Sequence, residues 1–346
     1  MYRLAVTLRD VAAKARVSPI VVSRVLHNKA LSINVTEATA ERVRVAAKEL
    51  GYRRNISAIN FRAKQTMAIG VFHGAGRPTP SFEGGSNYFG ALMDGFVAGA
   101  FANDYAVTLC PKLLGHAPDD ALSDGRFDGL VLYSTDSTEA NAQMLQRCTV
   151  PLVLVHTKAS EFGCSVPSIV CDNYQGIALA IDHLVGLGHR KIAFAQDPWL
   201  LSTEIRDRHN AFLALSEERG LPVGPPDIVT VDADGENFTE LFSGSYTAVI
   251  ACHDALAGRI LAAATERNVA VPDDLSLVGF DSTSYCNELR PALTSVSQPL
   301  QQMGARAIEL LVAFIRGEIQ GPAELTYPCG LDIRGTTKSI DALVIS

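Results

Sequence analysis

Residues 7–26 read TLRDVAAKARVSPIVVSRVL. Thr7, followed three residues later by Asp10, is a capping-box pattern that opens a helix on which Val11, Ala12 and Ala15 share one face. Ser18 then offers an N-cap oxygen, and Pro19 supplies the fixed φ of a first helical turn. In the second helix Val22, Val25 and Leu26 recur at i, i+3 and i+4 and should pack inward. Ile20, Val21, Ser23, Arg24 and His27 are left on other faces. Two short helices joined by a tight connection, the second presenting an Arg, have the form in which a helix-turn-helix enters a DNA major groove. A third helix follows, capped by Thr36, with Ala40, Val43, Ala47 and Leu50 as its inner stripe and Gly51 as its stop.

The competing reading is an unspecialised three-helix domain, and the charge speaks against it. Up to Gln65 there are 13 Lys and Arg against 4 Asp and Glu, whereas the 346-residue chain carries a net −7, which leaves −16 for the remainder. A basic head on an acidic body is expected when the head alone meets a polyanion, since phosphate neutralisation supplies most non-specific DNA affinity. The linker RRNISAINFRAKQT, from Arg53 to Thr66, has Asn55 as a cap and an apolar set at Ile56, Ala58, Ile59 and Phe61. A helix this short is marginal in water alone, so it is expected to order on a partner chain and DNA.

From Met67 onward the pattern becomes βα alternation. The apolar runs at 68–72, 130–133, 152–155, 168–171, 191–195, 248–251 and 277–280 have the length and content of buried parallel strands. Helical patterns lie between many of them, at 88–103, 174–187, 202–219, 255–267 and 300–316. A doubly wound α/β body follows, long enough for two lobes. The head is expected over 1–53, the linker helix over 54–65 and the body over 66–346. Lobe 1 is assigned about 66–168 and 295–325, and lobe 2 about 169–294 and 326–346.

In such a body ligands bind beyond the carboxyl ends of the strands. The residues there are His73, Ser134 to Asp136, His156, Asp197, Trp199, His253, Asp254 and Asp281. Carboxylates, imidazoles and an indole suit a polyhydroxylated ligand, although Asp172, Asp254 and Asp281 could be helix caps or turn residues, the commoner use of such an Asp. Arg208 shares a helical stripe with Ala211, Phe212 and Leu215 and is therefore expected inside. The stretch HGAGRPTP, 73–80, lacks the third glycine of a dinucleotide fingerprint, and its prolines oppose a helix starting there. No phosphate-loop, HExxH or GxSxG motif occurs, so no enzyme activity and no cofactor are expected. His183 and His189, and seven scattered cysteines without a CxxC, read as structural, and no metal is expected. No apolar run approaches about 18 residues and the first ten lack a signal-peptide core, so the expectation is a cytoplasmic protein without membrane contact.

TLRDVAAKARVS, VVSRVL, TAERVRVAAKELGY, HLVGLGHRKIAFA, the R-x-x-A-F of Arg208 to Phe212, VPDDLSLVGFDS, LTSVSQP and DIRGTT occur in the order in which they occur in one family. In these the chain resembles the transcriptional regulators of the lactose repressor and galactose repressor family, over nearly its whole length. The resemblance implies an all-α helix-turn-helix headpiece and a two-lobed, periplasmic-binding-protein-like body that binds a small effector between its lobes. It also implies a homodimer, or a tetramer built from dimers, on near-palindromic operator DNA. Pro19, Ile20 and Arg24 would take the base-facing positions, with Arg24 as a guanine reader. Thr7, Ser18, Val21, Ser23, His27 and Asn28 would lie along the same DNA face. In the linker Arg54, Asn55 and Ala58 would contact the duplex, and Phe61 stands where relatives insert a leucine wedge. Arg16 replaces a usual turn glycine, at a cost in strain if its φ is positive. For the effector the resemblance points to Tyr88, Phe89, His156, Arg208, His253, Asp281 and Gln298, to which the strand-end reading adds His73, Ser134 and Trp199. A sugar is the expected effector. The rivals are a nucleoside or an organic acid and, from another class, a ligand-binding enzyme or sensor without operator specificity.

Overall fold

The computed structural model describes residues 6–27, 35–53, 60, 65–73, 86–110, 125–136, 138–198, 203–222, 224, 227–231, 238–319, 321 and 323–340. Asn28, Arg54, Asn55, Ala58, Phe61 and Trp199 lie outside them, as does the first body loop, 74–85. The chain divides into two compact units, Met1–Gln65 and Thr66–Ser346.

The head comprises α1 (Leu8–Ala15), α2 (Pro19–His27) and α3 (Glu37–Leu50). The capping box forms in full, with the Thr7 amide donating to Asp10 at 2.8 Å and the Asp10 amide to Thr7 Oγ1 at 3.4 Å. Ser18 Oγ accepts from the Val21 amide and Thr36 Oγ1 from the Thr39 amide, each at 3.4 Å. Arg16 ends α1 at φ 52°, a left-handed position that a glycine would occupy without strain. Val11, Ala12, Ala15, Val22, Val43, Ala46 and Ala47 form the small core.

The body holds two six-stranded sheets. Its strands are β1 (Ala68–His73), β2 (Ala106–Leu109), β3 (Gly129–Tyr133), β4 (Leu152–Val155), β5 (Ser168–Cys171), β6 (Ile192–Gln196), β7 (Ile228–Thr230), β8 (Ala248–Ala251), β9 (Ser276–Asp281), β10 (Thr294–Ser297), β11 (Glu324–Tyr327) and β12 (Gly330–Asp332). The main helices are α4 (Tyr88–Ala102), α5 (Glu139–Arg147), α6 (Asn173–Gly186), α7 (Thr203–Glu218), α8 (Asp254–Glu266) and α9 (Leu300–Ile315). The first sheet runs β11-β5-β4-β3-β1-β2 and the second β12-β10-β9-β8-β6-β7. Every pairing is parallel except β10 with β12. Non-consecutive neighbours with helices between them are the mark of the doubly wound arrangement.

The chain passes from the first sheet to the second after Cys171, returns after Ser297 and crosses again between Tyr327 and Gly330. Each crossing lies a few residues beyond the division expected at 168, 294 and 325, because the strands keep pairing up to it: Cys171 is in register with Tyr327, and Ser297 with Asp281. Helices α4 and α9 meet over the first sheet at glycines. A Cβ on Gly95 would stand 2.2 Å from the Gln301 carbonyl oxygen, and one on Gly304 would stand 2.5 Å from that of Leu92. This backbone-to-backbone approach fixes where the first turn of α4 reaches the interlobe cleft.

Candidate functional site

Three strands end in left-handed backbone at the cleft: β3 at Ser134 (φ 50°), β4 at His156 (φ 59°) and β9 at Asp281 (φ 121°) and Ser282 (φ 48°). Such conformations cost about 1 to 3 kcal/mol each in non-glycine residues, and they aim side chains back across the sheet edge. A continuous buried chain of polar contacts results. Gln298 Nε2 donates to Asp281 Oδ1 at 2.6 Å, and Asp281 Oδ1 lies 3.9 Å from Arg208 Nη1. Arg208 Nη2 is 3.6 Å from Glu204 Oε2, which is 3.3 Å from His156 Nδ1. The same nitrogen meets the Tyr88 hydroxyl.

Arg208 is held from every side, as its position on the inner stripe of α7 requires. Its Nε donates to Asn173 Oδ1 at 2.8 Å and its Nη1 to the Cys252 carbonyl at 2.6 Å, and the guanidinium lies 3.6 Å from the centroid of the Phe280 ring. Glu204 and Asp281 keep it charged against the burial that opposes charge. Burial pushes Glu204 well above the carboxylate range and Asp281 up to about 7, despite the pull of Arg208. Burial and the neighbouring guanidinium bring His156 down to about 3, so its imidazole is neutral at physiological pH. Nδ1 is shared between the Tyr88 hydroxyl and Glu204 Oε2, which leaves Nε2 as the uncommitted ring nitrogen. This nitrogen and Gln298 Oε1 are buried without a hydrogen-bond partner among the described residues.

A pH dependence follows. Asp281 holds its proton more tightly in the folded chain than at its ordinary 3.8, so its contribution to stability is complete below pH 3.8 and is lost as pH rises through about 7. His156 acts in the opposite sense, contributing above pH 6.5 and losing that contribution as pH falls through about 3. Above pH 6.5 the His156 contribution is complete, and Asp281 together with Glu204, raised by burial in the same sense, sets the trend. The melting temperature of the body should therefore fall between pH 6.5 and 8, and Asp281→Asn should shrink that fall; a wild-type melting temperature that rises over this range would contradict the account.

The other expected residues distribute as follows. Phe89 is buried and stacks on Tyr133 with ring centroids 5.6 Å apart, while His73 lies 4.9 Å from the same ring. Ser134 meets the Tyr88 hydroxyl. His253 is the N-cap of α8, its Nδ1 accepting from the Leu256 amide at 3.1 Å and its Nε2 facing Asp197 Oδ2 at 2.9 Å. The cap occupies the Nδ1 lone pair, so the ring donates to Asp197 as the neutral tautomer. Asp197 also receives Arg259 at 2.8 Å. Both nitrogens of His253 are thus engaged within lobe 2. Glu204, Asn173 and the Cys252 carbonyl join the constellation without having been anticipated from sequence.

The lobes are bridged at the cleft mouth. Asn87 leaves the start of α4 without a side-chain cap and donates instead to Ser284 Oγ at 2.7 Å, and Thr283 Oγ1 meets the Ser86 carbonyl. Lys158 reaches Asp207 at 3.2 Å, and Arg206 pairs with Glu161. These contacts join the two lobes beside the buried chain.

In the head, Thr7, Ser18, Pro19 and Ile20 are exposed, Ile20 by 56%. Val21, Ser23 and Arg24 are half-buried, and one guanidinium nitrogen of Arg24 is shielded without a partner among the described residues. Ile20 thus offers an exposed apolar side chain on α2.

Residues 7–55 match the model for bacterial regulatory proteins of the lacI family, and residues 181–337 that for a periplasmic binding protein-like domain. The chain is 30% identical to catabolite control protein A of Priestia megaterium over 344 residues, 96% of this chain and 99% of that protein. Among solved structures it is similar to the lac repressor dimer bound to operator and the anti-inducer ONPF, at 26% identity and TM-score 0.78, covering 97% of this chain and all of the other. It is also similar to the transcriptional regulator CelR in complex with cellobiose, at 25% identity and TM-score 0.69, covering 96% and 99%.

Proposed function

Because this chain belongs to the lacI family of bacterial regulatory proteins, we propose that the buried chain from Gln298 to Tyr88 is its effector site. The protein is a DNA-binding transcriptional regulator with a helix-turn-helix head and an effector-binding body, and its relatives are regulators rather than enzymes. The observation that carries the site assignment is the pair of buried atoms without a hydrogen-bond partner among the described residues, His156 Nε2 and Gln298 Oε1, along a polar chain between the lobes. Two buried polar atoms left open between the lobes are suited to a hydroxylated ligand, whose hydroxyl groups both donate and accept, and a sugar is the reading that fits best. Phe101 (86% exposed) and Val97 on α4, with Leu109 on the edge strand β2, form an apolar face suited to a second copy of the chain, so the working unit is a cytoplasmic homodimer. No described helix is long and apolar enough to cross a membrane.

In this reading closure of the lobes sets the spacing of the two heads, and a coupling of about 1 to 3 kcal/mol changes operator affinity roughly 5- to 150-fold. Calorimetric titration of the full chain with cellobiose, ribose, galactose and adenosine tests the site. Saturable binding of one of them that is lost in Gln298→Leu supports it, and binding that survives both Gln298→Leu and His156→Leu opposes it. For the head, Arg24→Ala should weaken binding to each operator half-site by about 1 to 3 kcal/mol and leave affinity for random DNA nearly unchanged. An equal loss on both DNAs, measured by gel shift at fixed salt, would mean that Arg24 contacts phosphate only.

A further inference from the structure

A second cavity lies beside the crossing at Cys171, and no member of the buried chain from Gln298 to Tyr88 lines it. It holds about 430 Å³, the size of a small-molecule pocket, and takes its walls from both lobes. Lys158, Val170, Glu324 and Thr326 come from the first lobe, and Asp172, Asn173, Asp207 and Asn210 from α7 and the start of α6. Its charge is acidic. Asp172, Asp207 and Glu324 stand against one cation, Lys158, which already pairs with Asp207 at 3.2 Å. The start of α6 is supplied with its own anion, because Asp172 Oδ1 accepts from the Gln175 amide at 2.9 Å.

Asn173 brings an unused donor to this cavity. The residue is 6% exposed, and its Oδ1 accepts from Arg208 Nε at 2.8 Å and from the Cys171 thiol at 3.3 Å. A guanidinium only donates, so the oxygen is fixed toward Arg208 and Nδ2 is turned away from it, on the side of the cavity that Asn173 lines. Among the described residues nothing accepts from Nδ2. On the face of β5 to which Val170 belongs, Ser168 Oγ is also buried without a partner among the described residues, and its register partner is Glu324. Buried polar groups left open in this way are costly unless a bound molecule completes them.

We infer that this cavity is a second binding site, for a small organic cation that also carries a hydroxyl group, an amino alcohol. Its ammonium meets Glu324 and Asp172, and its hydroxyl oxygen accepts from Asn173 Nδ2. A carboxylate or phosphate would instead enter among three acids of which only one is paired. The occupant reaches from Glu324 in lobe 1 to Asn173 in lobe 2, so its binding favours the lobe arrangement in which these two stand together.

The test is calorimetric titration of the full chain with ethanolamine at constant ionic strength, beside ethylamine, which lacks the hydroxyl, and ethylene glycol, which lacks the charge. Ethanolamine should saturate below about 10 mM, and each comparator should bind about threefold or more weakly. Glu324→Lys, an exposed position on the edge strand β11, should weaken ethanolamine binding at least about fivefold by reversing the charge. Thr326→Trp, exposed on the same strand, fills the cavity and should abolish binding; it takes the place of Glu324→Lys if circular dichroism shows that variant unfolded. Binding should persist in Gln298→Leu. No saturation in this range, equal affinity for ethylamine, folded variants that bind as wild type does, or loss of binding in Gln298→Leu, which would place the compound in the cleft, each overturn the inference. The inference does not depend on the effector reading, which stands or falls on the titrations with sugars and adenosine.

Discussion

Arg208→Met should lower the stability of the body by about 3 to 5 kcal/mol and its melting temperature by on the order of 10 °C. The substitution keeps most of the aliphatic volume but removes the cation between Glu204 and Asp281, and it leaves the Asn173 oxygen and the Cys252 carbonyl without their donor. The loss should exceed that of an ordinary core truncation because two carboxyl groups would remain buried without compensation. Response to effector should disappear as well, since the guanidinium ties α7 to the ends of β8 and β9. Adding Glu204→Gln to Arg208→Met should restore part of the stability, because removing both members of a buried pair costs less than removing one. Thermal melts by circular dichroism decide the matter: a single variant that melts with wild type would show that the cluster carries no net charge worth compensating.

Gly95→Ala should be destabilising by about 3 kcal/mol, although in an open helix the same change would stabilise by about 1 kcal/mol. The reversal of sign comes from the added Cβ standing 2.2 Å from the Gln301 carbonyl oxygen, which is backbone and cannot rotate away. Helices α4 and α9 would have to separate, and Tyr88 and Phe89 would move with α4 away from His156 and Tyr133. Effector affinity should therefore fall together with stability, in contrast to Gly90→Ala on the same helix, where a Cβ would meet nothing nearer than the Asn87 side chain at 4.0 Å. Urea melts of both variants check the prediction, and equal midpoints would contradict the close approach.

Much of this fold is written in local chemistry. Thr7 with Asp10, Ser18 before Pro19 and Thr36 mark helix starts because their side-chain oxygens satisfy amides that nothing else nearby can. Most of the buried central strands stand out because both faces are covered, so apolar residues dominate them. The edge strands β2, β7, β11 and β12 carry no such signal, since at least one face and one row of backbone groups meet solvent. Strand β10, TSVS, is buried yet polar: Ser295 Oγ donates to Asp254 Oδ1 at 2.6 Å, and Thr294 is tied to Thr336 and Thr337. Its hydroxyls are satisfied by tertiary partners that periodicity cannot reveal.

The candidate site was legible to the extent that strand ends point to it. Arg208, Asp281 and His156 come from that rule and from the helical stripe. Glu204 does not, because an acid in the first turn of a helix is ordinarily a partner of the helix dipole. Its i, i+4 relation to Arg208 was the available signal, although exposed pairs share the same spacing. His253 shows the converse, a strand-end imidazole whose two nitrogens serve a helix cap and Asp197.

The most direct test of the account is fluorescence anisotropy of DNA from this protein's own promoter region, at fixed salt, with and without a panel of sugars, sugar phosphates and nucleosides. Tight binding to a near-palindromic segment is expected, shifted at least several-fold by one compound of the panel in wild type and not in Arg208→Met/Glu204→Gln. Equal affinity for that segment and for random DNA, with no compound changing it, would contradict the central claim.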